Sequence, residues 1–286
     1  MLNALITGSN GLLGSAFKKN EFFDNNLNFT FHSKEVVDIT DLISLNKYFV
    51  KNKHDIILNC AAFTDVDASE KDIDNLNKIN IQGLNNLLSL SAEYNFKLVN
   101  FSSDYVFDGN KTVPYSEEDN PNPLSSYGNS KFISDKILQQ SNKKSIIIRT
   151  SWLYGDHYKS FTNKIIKLSK SKKSINVIDD QIGSPTYVDD LVYASIKILK
   201  NEKKWNGDIY NFCNKGSLSW YQFALKLQNR LNLDLQINPI KTIEFNQMAE
   251  RPKFSVLSCE KIANNFNIFP RTFEESFNSY LNNIIK

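Results

Sequence analysis

The stretch Leu2-Asn3-Ala4-Leu5-Ile6-Thr7-Gly8-Ser9-Asn10-Gly11-Leu12-Leu13-Gly14 decides the fold. Its first six residues read as a short buried strand, and Ser15 to Asn20 read as the helix that follows. Between them stand three glycines at intervals of three. In a strand–turn–helix unit the first such glycine permits the tight turn, the second lets backbone approach a pyrophosphate, and the third lets the helix close on the sheet. The start of the helix then offers unpaired N–H groups to phosphates. A plain glycine-rich turn is the alternative, but a strand before it and a helix after it argue for a dinucleotide site.

Outward from that turn, strands and helices alternate. Phe29-Thr30-Phe31-His32 reads as the second strand. An NAD site places Asp or Glu near the end of this strand to hold the ribose 2′-hydroxyl. Here Ser33 and Lys34 come before Glu35, so the missing acid and the ammonium lean towards NADPH, with NADH as the alternative. Asp38-Ile39-Thr40-Asp41 leads into a helix over Leu42 to Lys51, with either aspartate as its N-cap and Asp38 also placed to touch an adenine. Asp55 to Ala62 reads as a third strand ending in small residues, over which a cofactor can lie. Residues 73–95 read as one long helix with Leu76, Ile79, Leu84, Leu87, Leu88 and Ala92 as its buried stripe and Asn80 beside it. Lys97 to Phe101 is a fourth strand delivering Ser103 at its carboxyl end, a helix covers 125–141, and Ser145 to Arg149 is a fifth strand.

This alternation predicts an α/β fold with a doubly wound parallel sheet, the Rossmann arrangement, in which ligands bind outside the carboxyl ends of the strands. After Trp152 the rhythm changes. Helices near 160–170, 189–200, 218–231 and 272–285 alternate with short strands near 175–178, 208–212 and 235–238. Residues 1–150 are thus expected to form the dinucleotide-binding domain. Residues 151–286 are expected to form mainly a smaller substrate-binding lobe, interleaved with the last strands of the sheet.

Tyr127-Gly128-Asn129-Ser130-Lys131 carries the chemistry. On a helix, Tyr127 and Lys131 leave one face a turn apart. A phenol ionises at pH ~10, so action near neutrality needs ~4 kcal/mol in favour of the phenolate. An ammonium ~6 Å away, at an effective dielectric of about 20, supplies ~2.8 kcal/mol of that. Ser103 can hydrogen-bond a carbonyl while the tyrosine delivers a proton. The spacing alone is weak, since Tyr193-Ala194-Ser195-Ile196-Lys197 repeats it within an apolar helical pattern that reads as an ordinary packed helix.

Composition narrows the class. Of 286 residues 41% are hydrophobic and 12% aromatic, enough for a sizeable core. The net charge of +3 is spread along the chain, with no basic stripe, so nucleic acid is not an expected partner. Cys60, Cys213 and Cys259 form neither a disulfide framework nor a zinc spacing, and the three histidines form no ligand motif. No apolar run approaches membrane-spanning length, and the chain runs at once into its first strand, so a cytoplasmic protein is expected.

With these parts together, the chain resembles the extended short-chain dehydrogenase/reductases, and within them the dTDP-4-dehydrorhamnose reductase family. The match is carried by Asn59 to Asp67 (NCAAFTDVD), Ser102 to Gly109 (SSDYVFDG), Tyr127 to Lys131, Arg149 to Tyr154 (RTSWLY), Asp180 to Thr186 (DQIGSPT), and Arg251-Pro252. The resemblance implies reduction of the C4 carbonyl of a dTDP-4-keto-6-deoxyhexose by NADPH or NADH. Tyr127 would donate the proton, Lys131 would hold the ribose and tune Tyr127, and Ser103 would polarise the carbonyl. Cofactor contacts would fall on Gly8, Asn10, Gly11, Leu12, Leu13 and Gly14, on Lys34, Asp38 and Ile39, and on Ala61, Ala62, Phe63 and Thr64. The asparagine matching Asn80 would support a proton relay to the lysine. Substrate contacts would fall on Val66, Ser103, Asp104, Tyr105, Trp152 and Arg251. Some members form magnesium-bridged homodimers through an acid on the first helix; this chain has Ala16 there, which counts against the metal and that dimer. The resemblance also extends to nucleotide-sugar epimerases with the same triad, and to the regulatory subunit of methionine adenosyltransferase, a binding partner rather than an enzyme.

Overall fold

Alternation along the strands builds two cores at once. Ala4 and Ile6 point to one face of the central sheet and Leu5 to the other, and all three are fully buried. Such strands are apolar on both faces because helices cover both. The computed structural model describes residues 1–20, 24–141 and 145–285.

In chain order the first half holds β1 (Leu2–Thr7), α1 (Leu12–Lys19), β2 (Leu27–Phe31), α2 (Leu42–Lys51), β3 (Ile56–Asn59), α3 (Val66–Lys71), α4 (Ile73–Asn77), α5 (Gly83–Tyr94), β4 (Lys97–Ser103), α6 (Ser126–Ser141) and β5 (Ser145–Thr150). The second half holds β6 (Leu153–Tyr154), α7 (Phe161–Ser169), β7 (Ser174–Ile178), β8 (Ile182–Gly183), β9 (Thr186–Tyr187), α8 (Val188–Lys200), β10 (Ile209–Asn211), β11 (Leu218–Ser219), α9 (Trp220–Leu231), β12 (Gln236–Ile240), α10 (Glu260–Phe266) and α11 (Phe273–Ile284).

Six strands form one parallel sheet in the order β10-β5-β4-β3-β1-β2. The order reverses between β1 and β3, and a crevice opens outside the carboxyl ends of those two strands. The last strand of the sheet, β10, comes from beyond residue 150 and pairs with β5. One core cluster joins Ala4, Ile6 and Phe17 to Tyr154, Leu191, Phe223 and Phe277, so both halves of the chain bury side chains together. The other joins Leu5 and Ile57 to Leu45, Phe49, Leu84 and Leu87 of the helices on the opposite face.

Residues 73–94 run as one continuous helical path, as their stripe predicts, with right-handed helical backbone at every junction. A π-helical turn at Lys78–Gln82 widens that path where α4 passes into α5. The Asn80 carbonyl there accepts a hydrogen bond from the Ser134 hydroxyl of α6 at 2.8 Å. A carbonyl drawn to a neighbouring helix loosens the local ladder, and that contact is invisible in a hydrophobic pattern.

Candidate functional site

The glycine turn sits at the β1/β3 crevice. Gly8 has φ +62°, and a Cβ placed on it would lie 2.7 Å from the Ala61 backbone, so the first turn closes directly onto the end of β3. Gly14 packs against the Gly8 carbonyl, whereas Gly11 is exposed and faces open space on its other side. Helix α1 starts at Gly11 with no side-chain cap and no acid in its first turn, leaving its N–H groups and the positive end of its dipole available to an anion.

A cavity of about 210 Å³ continues from this turn, lined by Gly8, Gly11, Lys34, Asp38, Ile39, Cys60, Ala61 and Ala62 among others. Lys34 is exposed, with its ammonium 3.9 Å from Asp38. Of the two aspartates offered as N-cap of α2, Asp41 takes the role by accepting from Ser44 N at 3.0 Å. Asp38 Oδ1 instead binds Thr40 N and Oγ1, which shapes the wall of the cavity. Phe63 is held by Asn80, whose Oδ1 accepts from Phe63 N at 2.8 Å and whose Nδ2 donates to Phe63 O and Ser130 Oγ. Asn80 thus ties the strand-end loop that carries Phe63 to α6 at Ser130, the residue before Lys131. Asn10 and Thr64 are exposed, Leu12 is half-buried and Leu13 buried.

Ser103 ends β4, one residue before a 3-10 turn at Asp104–Val106. Its Oγ donates to Asp104 Oδ1 at 2.9 Å and accepts from Tyr105 N at 3.2 Å. Helix α6 comes down on this turn. Ser125 Oγ accepts from Gly128 N at 3.2 Å, and the Glu70 carboxylate accepts from both Ser126 N and Ser126 Oγ at 2.8 Å. A Cβ on Gly128 would lie 2.2 Å from the Tyr105 carbonyl oxygen, so only a glycine lets α6 approach this closely. The result sets the Tyr127 phenol against the Ser103 hydroxyl. The Lys131 ammonium stands 5.9 Å from the centre of the Tyr127 ring and donates to the Phe101 carbonyl at 3.1 Å.

The electrostatics correct the expectation drawn from spacing. Lysine and tyrosine stand at the anticipated distance, but burial dominates. It pushes the Tyr127 phenol up, with Asp104 and Asp135 adding to the rise and only the Ser103 hydroxyl opposing it. The Lys131 amine is pushed down to about 8 by the same burial, against the pull of Asp135 and Cys60. Tyr127 therefore keeps its proton at neutral pH, the state that a proton donor requires. Burial also raises the Asp104 carboxyl to about 7, and its Oδ2 has no hydrogen-bond partner among the described residues.

On the other side of the strand ends, Arg251 forks onto Asp67, with NH1 3.0 Å from Oδ1 and NH2 2.7 Å from Oδ2. Asp67 Oδ1 also accepts from Met248 N and Ala249 N at 3.0 Å, tying the loop before Arg251 to α3, which begins at Val66. Tyr105 is half-buried, its ring edge-on to Tyr127 with centroids 6.0 Å apart. Trp152 has φ +45°, an uncommon conformation for a bulky residue, and stacks on Trp220 with ring centroids 3.5 Å apart. Asp67, Glu70 and Trp220 escaped the sequence reading as site-building residues. Their partners lie 184, 56 and 68 positions away, and no local pattern links them. Among the described residues, no group of three or more His, Cys, Asp or Glu is arranged to hold a metal ion, and no helix is long and apolar enough to cross a membrane.

Comparison with known proteins agrees along the whole chain. The family described as RmlD substrate binding domain matches residues 2–285. The chain is 35% identical to the spore coat polysaccharide biosynthesis protein SpsK of Bacillus subtilis over 98% of its own length and 97% of that protein's. It is 33% identical to a dTDP-4-dehydrorhamnose reductase of Aggregatibacter actinomycetemcomitans, covering 96% and 97% of the two chains. Among solved structures, a dTDP-4-dehydrorhamnose reductase of Bacillus anthracis in complex with NADP superposes with a TM-score of 0.91 at 34% identity, over 98% of both chains.

Proposed function

The chain belongs to the RmlD substrate binding domain family, and from that premise we propose that it is an NADPH-dependent oxidoreductase of a nucleotide sugar. It reduces the C4 ketone of a dTDP-4-keto-6-deoxyhexose, turning dTDP-4-dehydrorhamnose into dTDP-L-rhamnose for nucleotide-sugar and cell-surface polysaccharide biosynthesis. The relatives named dTDP-4-dehydrorhamnose reductase and the NADP complex of a close structural neighbour support this reading. The observation that carries it is the convergence of Ser103, Tyr127 and Lys131 at the carboxyl ends of the strands.

The residues present fit the cofactor. Gly8 and Gly14 press the turn so tightly that a Cβ has no room, and the uncapped start of α1 faces the place where a pyrophosphate would lie. Asp38 and Ile39 would flank the adenine, Lys34 would meet a 2′-phosphate, and Ala61 to Thr64 would lie under the nicotinamide half. When bound, NADPH supplies the hydride to the carbonyl carbon. Ser103 turns its hydroxyl from Asp104 to the carbonyl oxygen and polarises it. Tyr127, held protonated by burial, gives its proton to that oxygen as negative charge develops there. Lys131, fixed to the Phe101 carbonyl, holds the ribose hydroxyls and offsets the charge left on Tyr127. Val66, Asp104, Tyr105, Trp152 and Arg251 line the substrate side, with Asp67 fixing the fork of Arg251.

In this reading residues 1–150 form mainly the cofactor half and residues 151–286 mainly the substrate half; a cytoplasmic location and a homodimer go with it, checked by fractionation and by solution mass. The decisive experiment mixes purified protein and NADPH with a panel of dTDP- and UDP-linked 4-keto sugars. Stoichiometric NADPH consumption with the dTDP-4-keto-6-deoxyhexose is the expected outcome. Turnover of a sugar without net consumption would identify an epimerase, and inertness towards the whole panel a binding subunit.

A further inference from the structure

A second cavity, about 490 Å³, lies away from the cofactor crevice, beyond the carboxyl end of β10. Its wall includes Ser184, Lys215, Leu257, Phe269 and two of the three cysteines, Cys213 and Cys259. These thiols are free, and their sulfurs stand 3.6 Å apart although the residues are 46 positions apart in the chain. The Cys213 N–H donates to Cys259 Sγ at 3.2 Å, and Cys213 Sγ donates to the Leu257 carbonyl at 3.5 Å. A disulfide needs its sulfurs about 2.0 Å apart, so closing this pair takes a movement of roughly 1.5 Å. Buried thiols are ordinarily inert because nothing reaches them. This pair is different because both members line one open cavity, of a size that admits a small molecule.

We propose that Cys213 and Cys259 are a reversible dithiol site, which a small disulfide such as oxidised glutathione reaches through this cavity and closes into an intrachain bond. One protein thiolate attacks a sulfur of the small disulfide, forming a mixed disulfide and releasing one small thiol, which takes up a proton. The second protein thiolate then attacks the protein-side sulfur of that mixed bond. The Cys213–Cys259 bond forms and the second small thiol leaves. Two protein thiols are oxidised and one small disulfide is reduced to two thiols.

Closure acts on the substrate side of the site. Cys259 follows a segment that is stapled along its length: Ser255 N donates to Ile182 O, Tyr115 N to Val256 O, and Ser258 N to Tyr115 O. Ser255 lies beside the Asp104 carboxyl, and Arg251 stands four residues earlier. Drawing Cys259 towards Cys213 therefore pulls on the segment that bears these groups, while the glycine turn lies on other elements. This consequence rests on the reductase reading; formation of the bond does not.

The full-length protein is incubated with oxidised glutathione and digested without reduction. A Cys213–Cys259 cross-linked peptide pair is expected, with the intact mass lower by two hydrogens and the change reversed by dithiothreitol. In Cys213→Ser and in Cys259→Ser the remaining thiol should stop at a stable glutathione adduct. A lasting adduct on the unaltered protein without a cross-link, or two unmodified thiols, overturns the proposal. In the cross-linked protein the KM for the 4-keto sugar should rise by at least about threefold, with the KM for NADPH unchanged. An unchanged sugar KM at full cross-linking refutes the coupling. Because the cross-link is read by mass, an error in the reductase assignment leaves that part of the test intact.

Discussion

Two helices of this protein carry the same Tyr-x-x-x-Lys spacing and put it to different use. On α8, Tyr193 is 51% exposed and Lys197 reaches back over its ring at 4.8 Å. The buried face of α8 is apolar, with Leu191, Val192, Ala194, Ile196, Ile198 and Leu199, so hydrophobic burial orients the helix and turns the tyrosine outward. The helix packs as its pattern predicts, but Tyr193 itself takes no part in the packing. On α6 the buried face is polar: Ser130, Lys131, Ser134 and Asp135 are all enclosed. Each has a partner there: Asn80 for the two serines, the Phe101 carbonyl for Lys131, and Arg149 for Asp135 at 2.9 Å. Buried polar groups persist only where hydrogen bonds repay their desolvation. Spacing puts two side chains on one face; what that face meets decides whether they become a site.

The sharpest way to break this contrast is Tyr127→Phe. Removing the donor hydroxyl should lower turnover by about 10²–10⁴-fold while NADPH binding, followed by fluorescence titration, survives. Turnover near the unaltered value would reduce α6 to the status of α8.

Next in size is Asp104→Asn. Below the ordinary carboxyl pKa of 3.8 Asp104 is protonated in both states. Between 3.8 and about 7 the unfolded chain loses the proton and the folded one keeps it, so the folded state binds more protons and stability falls as pH rises through that window. The amide should remove this decline, worth at most ~4 kcal/mol. Urea unfolding at pH 4.5 and pH 8 should therefore show the asparagine variant gaining on the parent at the higher pH; a constant difference would mean that burial does not hold the proton on Asp104.

Gly128→Ala gives the α6 motif the Tyr-Ala pair that α8 carries at Tyr193-Ala194. The new Cβ would meet the Tyr105 carbonyl oxygen at 2.2 Å, so α6 must move off the strand-end turn, with a loss of about 1–3 kcal/mol in stability and of the alignment of Tyr127 with Ser103. A variant with unchanged melting and turnover would show that the close approach is dispensable. The smallest effect belongs to Tyr193→Phe, which should leave turnover and stability alone, within about 0.5 kcal/mol by thermal melting. A large loss there would overturn the assignment of the two pairs.

Much of the fold could be read in the residues because its signals are local. Strand runs such as Ile56–Asn59 and Ser145–Thr150 bury every residue, and they announce central parallel strands wherever they stand. Gly8 is readable for the same reason, since a turn that needs φ +62° accepts few other residues. The π-turn within the 73–95 helix is not legible in the pattern, because the hydroxyl that meets its Asn80 carbonyl lies on another helix 54 residues away. The fork between Asp67 and Arg251 was hidden likewise by 184 residues of chain. The upward push of burial on the Tyr127 phenol is not legible in spacing, which reports how far Lys131 stands but not how much water the site excludes.

Local chain chemistry by itself determined the parallel α/β sheet and the glycine turn, and offered Ser103, Tyr127 and Lys131 as candidates, because backbone conformation and periodicity act over a few residues. Tertiary structure alone decided which Tyr–Lys pair is enclosed, that burial pushes the Tyr127 phenol up, that Asp67 grips Arg251 and that two distant thiols meet. Burial and charge are properties of all neighbours in space, and those neighbours come from strands and loops that the chain brings together only on folding.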